Sequence, residues 1–156
     1  MLETTHDDTR LREGRPGRGG PAGEARSVRD LSARELGMRG EETAARNLVS
    51  RGWVILERNY RCAQGEADIV ALEQEGDETV VLVEVKTRLA LGGDSEVVPE
   101  LAVDAGKQAR YRAIALSYLG SHGQFKGVRF DVIALTVKGE GIAGMRHLMG
   151  AYSVDG

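Results

Sequence analysis

A chain of 156 residues, 41% apolar and 29% charged, has the size and composition of one soluble domain with its own core. Its apolar runs are too short to cross a bilayer, and its single cysteine excludes an intrachain disulfide, so a cytoplasmic protein without a membrane partner is expected. The net charge of −3 excludes the strongly basic composition of a DNA-coating protein, but it is compatible with an enzyme whose acidic residues hold a metal.

The first 30 residues are rich in Gly, Arg, Asp and Pro and show no hydrophobic period. Such a segment cannot bury enough apolar surface to fold. Residues 1–30 are therefore predicted to form a disordered extension, and residues 31–156 are predicted to form the domain.

A helix is predicted at the start of the domain. Ser32 and Glu35 have the spacing of a capping box, and the helix then runs to about Ser50, with Gly52 as its stop signal. Apolar and small residues recur on one stripe of this helix, and Glu41 lies at the edge of the stripe. A glutamate that leans toward the core side needs a cation, and a bound metal would supply one.

The rest of the domain reads as strands and a second helix. A polar turn at 61–65 and a hairpin turn at 75–77 separate the early strands, and a glycine-containing loop at 91–94 precedes a helix at 103–119. Strands are predicted at residues 53–58, 66–72, 79–87, 129–137 and 142–148. This order predicts one α/β domain, with a mixed sheet flanked by helices.

The third strand carries the first chemical signal. It is apolar on both faces until Glu84, as expected for a central strand that is covered on two sides. Alternation places Glu84 and Lys86 on one face and Val83 and Val85 on the other. A carboxylate and an ammonium at the end of an apolar strand are costly unless they are paired or used.

The second strand adds a carboxylate, because Asp68 would approach Glu84 if the two strands pair through the turn at 75–77. Two converging carboxylates can hold a hard cation such as Mg²⁺, which lowers the pKa of a bound water and neutralises phosphate charge. Lys86 would then orient or deprotonate that water, or stabilise the developing negative charge. The alternative is structural: Glu84 and Lys86 form an ion pair, and Asp68 caps a turn.

The order Glu41, Asp68, Glu84 and Lys86 resembles the PD-(D/E)XK nuclease superfamily, although Ala67 replaces the proline of its PD motif. More closely, residues 35 to 152 are similar to the YraN family of endonuclease-like bacterial proteins. The matching segments are Gly40–Ala45, Ile55–Arg61, Gly65–Ala71, Val83–Arg88, Arg129–Ala134 and Arg146-His147.

The resemblance implies a restriction endonuclease-like core and kinship with Holliday-junction resolvases. It implies that Asp68 and Glu84 are metal ligands, that Lys86 is the catalytic lysine and that Glu41 is a further ligand, direct or through water. The implied cofactor is Mg²⁺ or Mn²⁺.

Basic residues near this motif are candidates for phosphate contacts, which fix register without reading sequence. The candidates are Arg58, Arg61, Arg88 and, more weakly, Lys107 with Arg110 on the second helix. Ordinary surface charge is the alternative for Arg58, Arg61 and Arg88. Two roles stay open for Glu66, an ion pair with Arg58 or Arg61 and a metal ligand. Asp131 lies in an apolar strand, and we expect it to form a structural salt bridge.

These observations predict a metal-dependent, structure-selective endonuclease that acts on branched or single-stranded DNA in repair or recombination. Shape and backbone recognition are expected, because no zinc finger or clear recognition helix is visible. Resolution of a four-way junction would require a symmetric homodimer. The alternative is a catalytically silent nucleic-acid-binding or protein-interaction module that retains the nuclease fold.

Overall fold

A computed structural model describes residues 31–90, 104–139 and 141–155. The predicted extension at 1–30 and the predicted loop at 91–94 lie outside the described residues. Among the helices described, none is long and apolar enough to cross a membrane. The elements in chain order are α1 (Ala33–Ser50), β1 (Val54–Cys62), β2 (Gly65–Leu72), β3 (Thr79–Leu89), α2 (Ala105–Ser121), β4 (Gly127–Lys138) and β5 (Gly141–Asp155).

The strands form one five-stranded sheet in the order β1-β2-β3-β4-β5. β3 and β4 are parallel and every other neighbouring pair is antiparallel. Parallel neighbours need a long crossover, and α2 lies in the connection between β3 and β4. The predicted α/β class is confirmed, with a mixed sheet flanked by helices as in a restriction endonuclease-like core.

Two strands extend by several residues beyond their predicted ends. β1 runs to Cys62, and the polar turn predicted at 61–65 shrinks to the two residues between Cys62 and Gly65. β5 continues to Asp155 rather than ending at residue 148, with Gly150 at a φ of +69° inside it. In both cases hydrogen bonds to the neighbouring strand hold polar or glycine-containing segments that have little strand propensity of their own.

The two faces of the sheet are covered by different helices. The buried side chains that pack between α1 and the sheet, here the α1-side cluster, are Ala44, Ala45, Leu48, Trp53, Ile69, Ala71, Val81, Val83, Ile133 and Leu135. Those that pack between α2 and the sheet, here the α2-side cluster, include Ala67, Val70, Leu72, Val80, Leu82, Tyr111, Ile114, Tyr118, Phe130 and Val132. β3 is therefore buried on both faces over residues 80–83, as predicted, until its acidic end.

The first helix begins as the sequence predicts. Ser32 Oγ accepts a hydrogen bond from the Glu35 amide at 3.2 Å, and Glu35 Oε2 accepts one from the Ser32 amide at 2.9 Å. These two bonds satisfy backbone donors that the helix itself leaves open. The buried face of α1 consists mainly of small residues, so the helix lies close to the sheet.

Helix α1 lies very close to the sheet at Gly40, next to Glu41. A Cβ at residue 40 would overlap Thr87 Oγ1 and would lie 2.9 Å from Thr87 Cβ on β3. Gly40→Ala is therefore expected to lower the free energy of unfolding by about 1–3 kcal/mol, because the helix must move away from β3.

Gly37→Ala is the matched control, since a Cβ at residue 37 of the same helix meets no atom within 4 Å. This change is expected to be neutral or to stabilise by up to about 1 kcal/mol, the difference in helix propensity. Urea denaturation of both variants measures the effect, and equal stabilities would contradict the close approach.

Candidate functional site

The site begins at an irregularity in β1. Asn59 has a φ of +57°, the left-handed conformation that non-glycine residues rarely adopt. Its neighbours reach opposite helices: Arg58 binds Glu42 on α1 at 3.4 Å, whereas the Tyr60 ring packs edge-on against Tyr118 of α2. Side chains two apart in a regular strand share a face, so the strand changes faces at Asn59.

β2 changes faces at the same level of the sheet. Ala67 belongs to the α2-side cluster and Ile69 to the α1-side cluster, although they are two residues apart. They pair with Tyr60 and Arg58 of β1, and this register places Asp68 beside Asn59. The left-handed residue and the acidic residue therefore share one break in the regular sheet, and such breaks occur often at functional sites.

Asp68 lies where β2 and β3 part. The paired residues of these strands run from Ala71 and Val81 to Ile69 and Val83, so Asp68 and Glu84 come next along the two strands. Asp68 Oδ2 accepts a hydrogen bond of 2.7 Å from the Val85 amide. The carboxylate thus takes the place of a backbone carbonyl, and it fixes Asp68 next to the acidic end of β3.

The surroundings of Asp68 disfavour its negative charge. Burial raises the pKa of Asp68 to about 6, and the negative charges of Glu41, Glu84 and Glu66 add to the rise, whereas the bond from the Val85 amide opposes it. The charge of Glu41 on α1 thus acts on Asp68, and the role of Glu41 as a further metal ligand stays a prediction.

Glu84 has the opposite electrostatic environment. Its side chain is only 14% exposed and lies 3.2 Å from Lys86 Nζ and 3.1 Å from Arg110 Nη2. Tyr111 donates a hydrogen bond of 2.7 Å to Glu84 Oε2. Burial alone would raise the pKa of Glu84, but the bond from Tyr111 and the charges of Lys86 and Arg110 hold it below its ordinary value.

Tyr111 is not among the residues predicted from the sequence, and Arg110 was predicted only as a weaker phosphate contact. Tyr111 is 1% exposed and its ring stacks on Phe130 at 4.2 Å between centroids. Arg110 and Tyr111 are adjacent on α2, 26 and 27 positions after Glu84 in the sequence. A buried tyrosine beside an arginine on a helix is the only signal in the sequence, and it does not identify the strand residue that the pair contacts.

The donor set suits a hard divalent cation by its chemistry, since Asp68, Glu84 and Glu41 offer carboxylate oxygens. The raised pKa of Asp68 indicates a place where added positive charge would be favourable. In the described part of the chain, however, no three acidic, His or Cys side chains stand close enough to enclose a metal. Glu84 is directed to Arg110 and Tyr111, so a metal would have to compete with these residues for it.

Two clefts lie beside the acidic residues, and Arg61 lines both. One, of about 400 Å³, lies between α1 and β1 and is lined by Arg34, Glu41, Arg58 and Asn59. The other, of about 460 Å³, is lined by Glu66, Glu84, Lys86 and Arg110.

The remaining predicted phosphate contacts are Arg61, Arg88 and Lys107. Arg61 forms an exposed pair with Glu66 at 3.6 Å, so Glu66 binds an arginine, as one of the two alternatives held. Arg88 is exposed and follows Lys86 on the same face of β3, and Lys107 lies in the first turn of α2, where its amide binds the helix cap Asp104 at 2.8 Å. The roles of Arg58, Arg61, Arg88 and Lys107 toward nucleic acid stay predictions.

Asp131 forms the predicted structural salt bridge. It is fully buried and accepts hydrogen bonds from Arg129 at 2.8 and 2.9 Å, from the Gly150 amide at 2.9 Å and from His147 Nε2 at 2.8 Å. Arg51 lies 3.1 Å from His147 Nδ1. Because arginine can only donate, Nδ1 accepts this bond and Nε2 carries the hydrogen that binds Asp131.

Comparison with known proteins places these residues in a family. The model of a family described as "Uncharacterised protein family UPF0102" matches residues 40–135. A UPF0102 protein of Moorella thermoacetica is 40% identical over 124 residues, which are 78% of this chain and 98% of the relative. One of Pelobacter propionicus is 41% identical over 122 residues, 78% of this chain and 84% of the relative.

A third UPF0102 protein, of Dictyoglomus thermophilum, is 37% identical over 124 residues and is covered over its full length. These matches confirm the resemblance to the YraN family that the motifs indicate. The segment matched by the family model contains Glu41, Asp68, Glu84, Lys86 and Arg110, which are together called the acidic site here. The chain therefore belongs to the UPF0102 family.

Proposed function

We propose that this protein is a metal-dependent, structure-selective endonuclease that hydrolyses phosphodiester bonds in DNA. The observation that carries the proposal is the position of Asp68 at the parted ends of β2 and β3, beside the Glu84–Lys86 pair and within electrostatic reach of Glu41. Two carboxylates and a lysine at one break in a sheet, with a third carboxylate on α1, suit the handling of a cation and a phosphate together.

The residues of the site would have different roles, which follow from their surroundings. Asp68, Glu84 and Glu41 would hold Mg²⁺ or Mn²⁺, which when bound supplies an acidified water and neutralises charge on the phosphate. Lys86 Nζ is 3.2 Å from Glu84, and its side chain is 44% exposed, so the ammonium is both positioned and open to a substrate. It stabilises the negative charge that develops on the phosphate as water adds and the P–O bond to the leaving oxygen breaks.

The clefts beside the site support recognition of the DNA backbone rather than of its bases. Arg34, Arg58 and Arg61 line the cleft on one side, and Lys86 and Arg110 line the cleft on the other. Such cations contact phosphates without reading sequence. We place the substrate among branched or single-stranded DNAs, in repair or recombination, and a four-way junction would call for a homodimer.

The test is incubation of the purified protein with linear, flapped, single-stranded and four-way DNA in Mg²⁺ or Mn²⁺. Asp68→Asn and Glu84→Gln keep the side-chain shape but remove the charge, and both are expected to abolish cutting. Glu78→Gln is the matched control, because Glu78 forms an exposed ion pair with Lys126 at the opposite end of β3. This variant is expected to cut like the wild type.

Cutting of one DNA structure by the wild type and Glu78→Gln only would support the endonuclease and would identify its substrate class. Tight DNA binding without cutting of any substrate would overturn it in favour of a silent binding module. The separate positions of the acidic side chains make this second outcome a specific alternative, since the described residues hold no ready-made metal cluster.

A further inference from the structure

Glu84 is surrounded by the positive charge that a metal would otherwise supply. Arg110 Nη2 lies 3.1 Å from Glu84 Oε1 and 3.2 Å from Oε2, and Lys86 Nζ lies 3.2 Å from Oε1. Two unit positive charges therefore face one carboxylate, together with the hydroxyl of Tyr111. A carboxylate that is satisfied in this way has no free capacity for a metal unless one partner leaves.

The three partners of Glu84 differ in their freedom to leave. Tyr111 is fixed, because it is 1% exposed and stacked on Phe130. Lys86 is 44% exposed and can also turn outward, but it is on the same strand as Glu84, two residues away, so it remains within reach of the carboxylate without any movement between elements. Arg110 belongs to another element and its side chain is 45% exposed, with its guanidinium 5.2 Å from the Tyr111 ring centre at the protein surface.

We propose that Arg110 is an exchangeable partner of Glu84: it neutralises the carboxylate in the metal-free protein, yields it to a divalent cation and then binds a phosphate of the substrate. This inference rests on the proposed function. A planar guanidinium suits phosphate as well as carboxylate, so the same group serves in both states. The cleft that Arg110 shares with Lys86 and Arg61 is where a released guanidinium would meet the DNA.

The exchange makes the binding of metal and of Arg110 to Glu84 mutually exclusive. Loss of Arg110 must then strengthen metal binding, because the competitor is removed from the metal-free state. A merely structural arginine would have the opposite effect, since its loss would loosen Glu84 and weaken metal binding. The sign of the change in metal affinity therefore separates the two roles.

The first experiment measures Mn²⁺ affinity by titration calorimetry for the wild type, Arg110→Ala and Arg112→Ala. Arg112 is exposed on the same helix, one position beyond Tyr111, and provides the matched control. Arg110→Ala is expected to bind Mn²⁺ about tenfold more tightly than the wild type, the low end for a hydrogen bond between charged groups. Arg112→Ala is expected to bind it like the wild type, and Arg110→Lys is expected to lie between the two.

An unchanged or weaker Mn²⁺ affinity in Arg110→Ala, with clear binding by the wild type, would overturn the exchange and leave the proposed function standing. No Mn²⁺ binding by any of the variants would instead overturn the proposed metal site, and the inference with it. Binding by Arg110→Ala but not by the wild type would support the exchange in its strongest form.

The second experiment tests the phosphate contact with labelled single-stranded DNA in EDTA and in Ca²⁺. Arg110→Ala is expected to lose more DNA affinity in Ca²⁺, where the guanidinium is released to a phosphate, than in EDTA, where Glu84 occupies it, and the loss in Ca²⁺ is expected to be about tenfold. An equal loss in the two buffers, or no loss in Ca²⁺, would overturn the proposed transfer of Arg110 to the phosphate.

Discussion

Lys86→Ala is expected to slow DNA cleavage by about 10²–10⁴-fold, the range for loss of a positioned catalytic group. The same change should shift the free energy of unfolding by less than about 1 kcal/mol, because the Glu84–Lys86 pair is partly exposed and Arg110 and Tyr111 still satisfy Glu84. Lys86 is thus a residue whose loss separates activity from stability.

Lys126→Ala is the matched control for this prediction. Lys126 pairs with Glu78 at 2.9 Å, as Lys86 pairs with Glu84, but its side chain is 74% exposed and lies far from the acidic site. Neither cleavage nor unfolding should change. Rates measured on the substrate that the wild type cuts, with urea denaturation alongside, decide the matter; a Lys86→Ala variant that cuts at the wild-type rate would remove Lys86 from the catalytic machinery.

Asp131→Ala is expected to give the largest loss of stability, about 3–5 kcal/mol. Asp131 is fully buried and accepts four hydrogen bonds, and its removal leaves His147 Nε2 and the Gly150 amide without this acceptor and Arg129 with only its second carboxylate partner, Glu73. The His147 side chain is only 9% exposed, so water cannot readily replace the lost partner. Much of the penalty is that of buried groups left unsatisfied.

The pH dependence of this stabilisation follows from the pKa of Asp131. Burial acts to raise it, but hydrogen bonds from His147, Arg129 and the Gly150 amide outweigh burial and hold it below the ordinary value of 3.8. The carboxylate is then a stronger acid folded than unfolded, so its contribution is complete above that value and is lost as the pH falls through the lower folded-state pKa.

Glu42→Ala is the control for burial in this experiment. Glu42 also binds two arginines, Arg46 at 3.1 Å and Arg58 at 3.4 Å, but its side chain is 53% exposed. Its loss should cost less than about 1 kcal/mol. Denaturation at neutral pH measures both variants, and a similar small loss for Asp131→Ala would mean that the buried network contributes no more than a surface ion pair.

The elements that depend on local or periodic patterns can be predicted from the sequence. Ser32 and Glu35 specify the start of α1 because the capping box is made within four residues. The apolar run of β3 indicated a strand buried on both faces, and alternation placed Glu84 with Lys86, which pair at 3.2 Å. The proximity of Asp68 to Glu84 also followed, since it needs only the short connection between β2 and β3.

The rest of the site depends on contacts that form only in the folded protein. The change of faces at Asn59 and Asp68 leaves no periodic signal, because it arises from one left-handed residue and its pairing with β2. Arg110 and Tyr111 reach Glu84 only because α2, which connects β3 to β4 in the chain, packs on one face of the sheet. Contacts between elements distant in sequence depend on how helices pack on the sheet. A single sequence therefore predicts the helix but not the strand residues that the helix contacts.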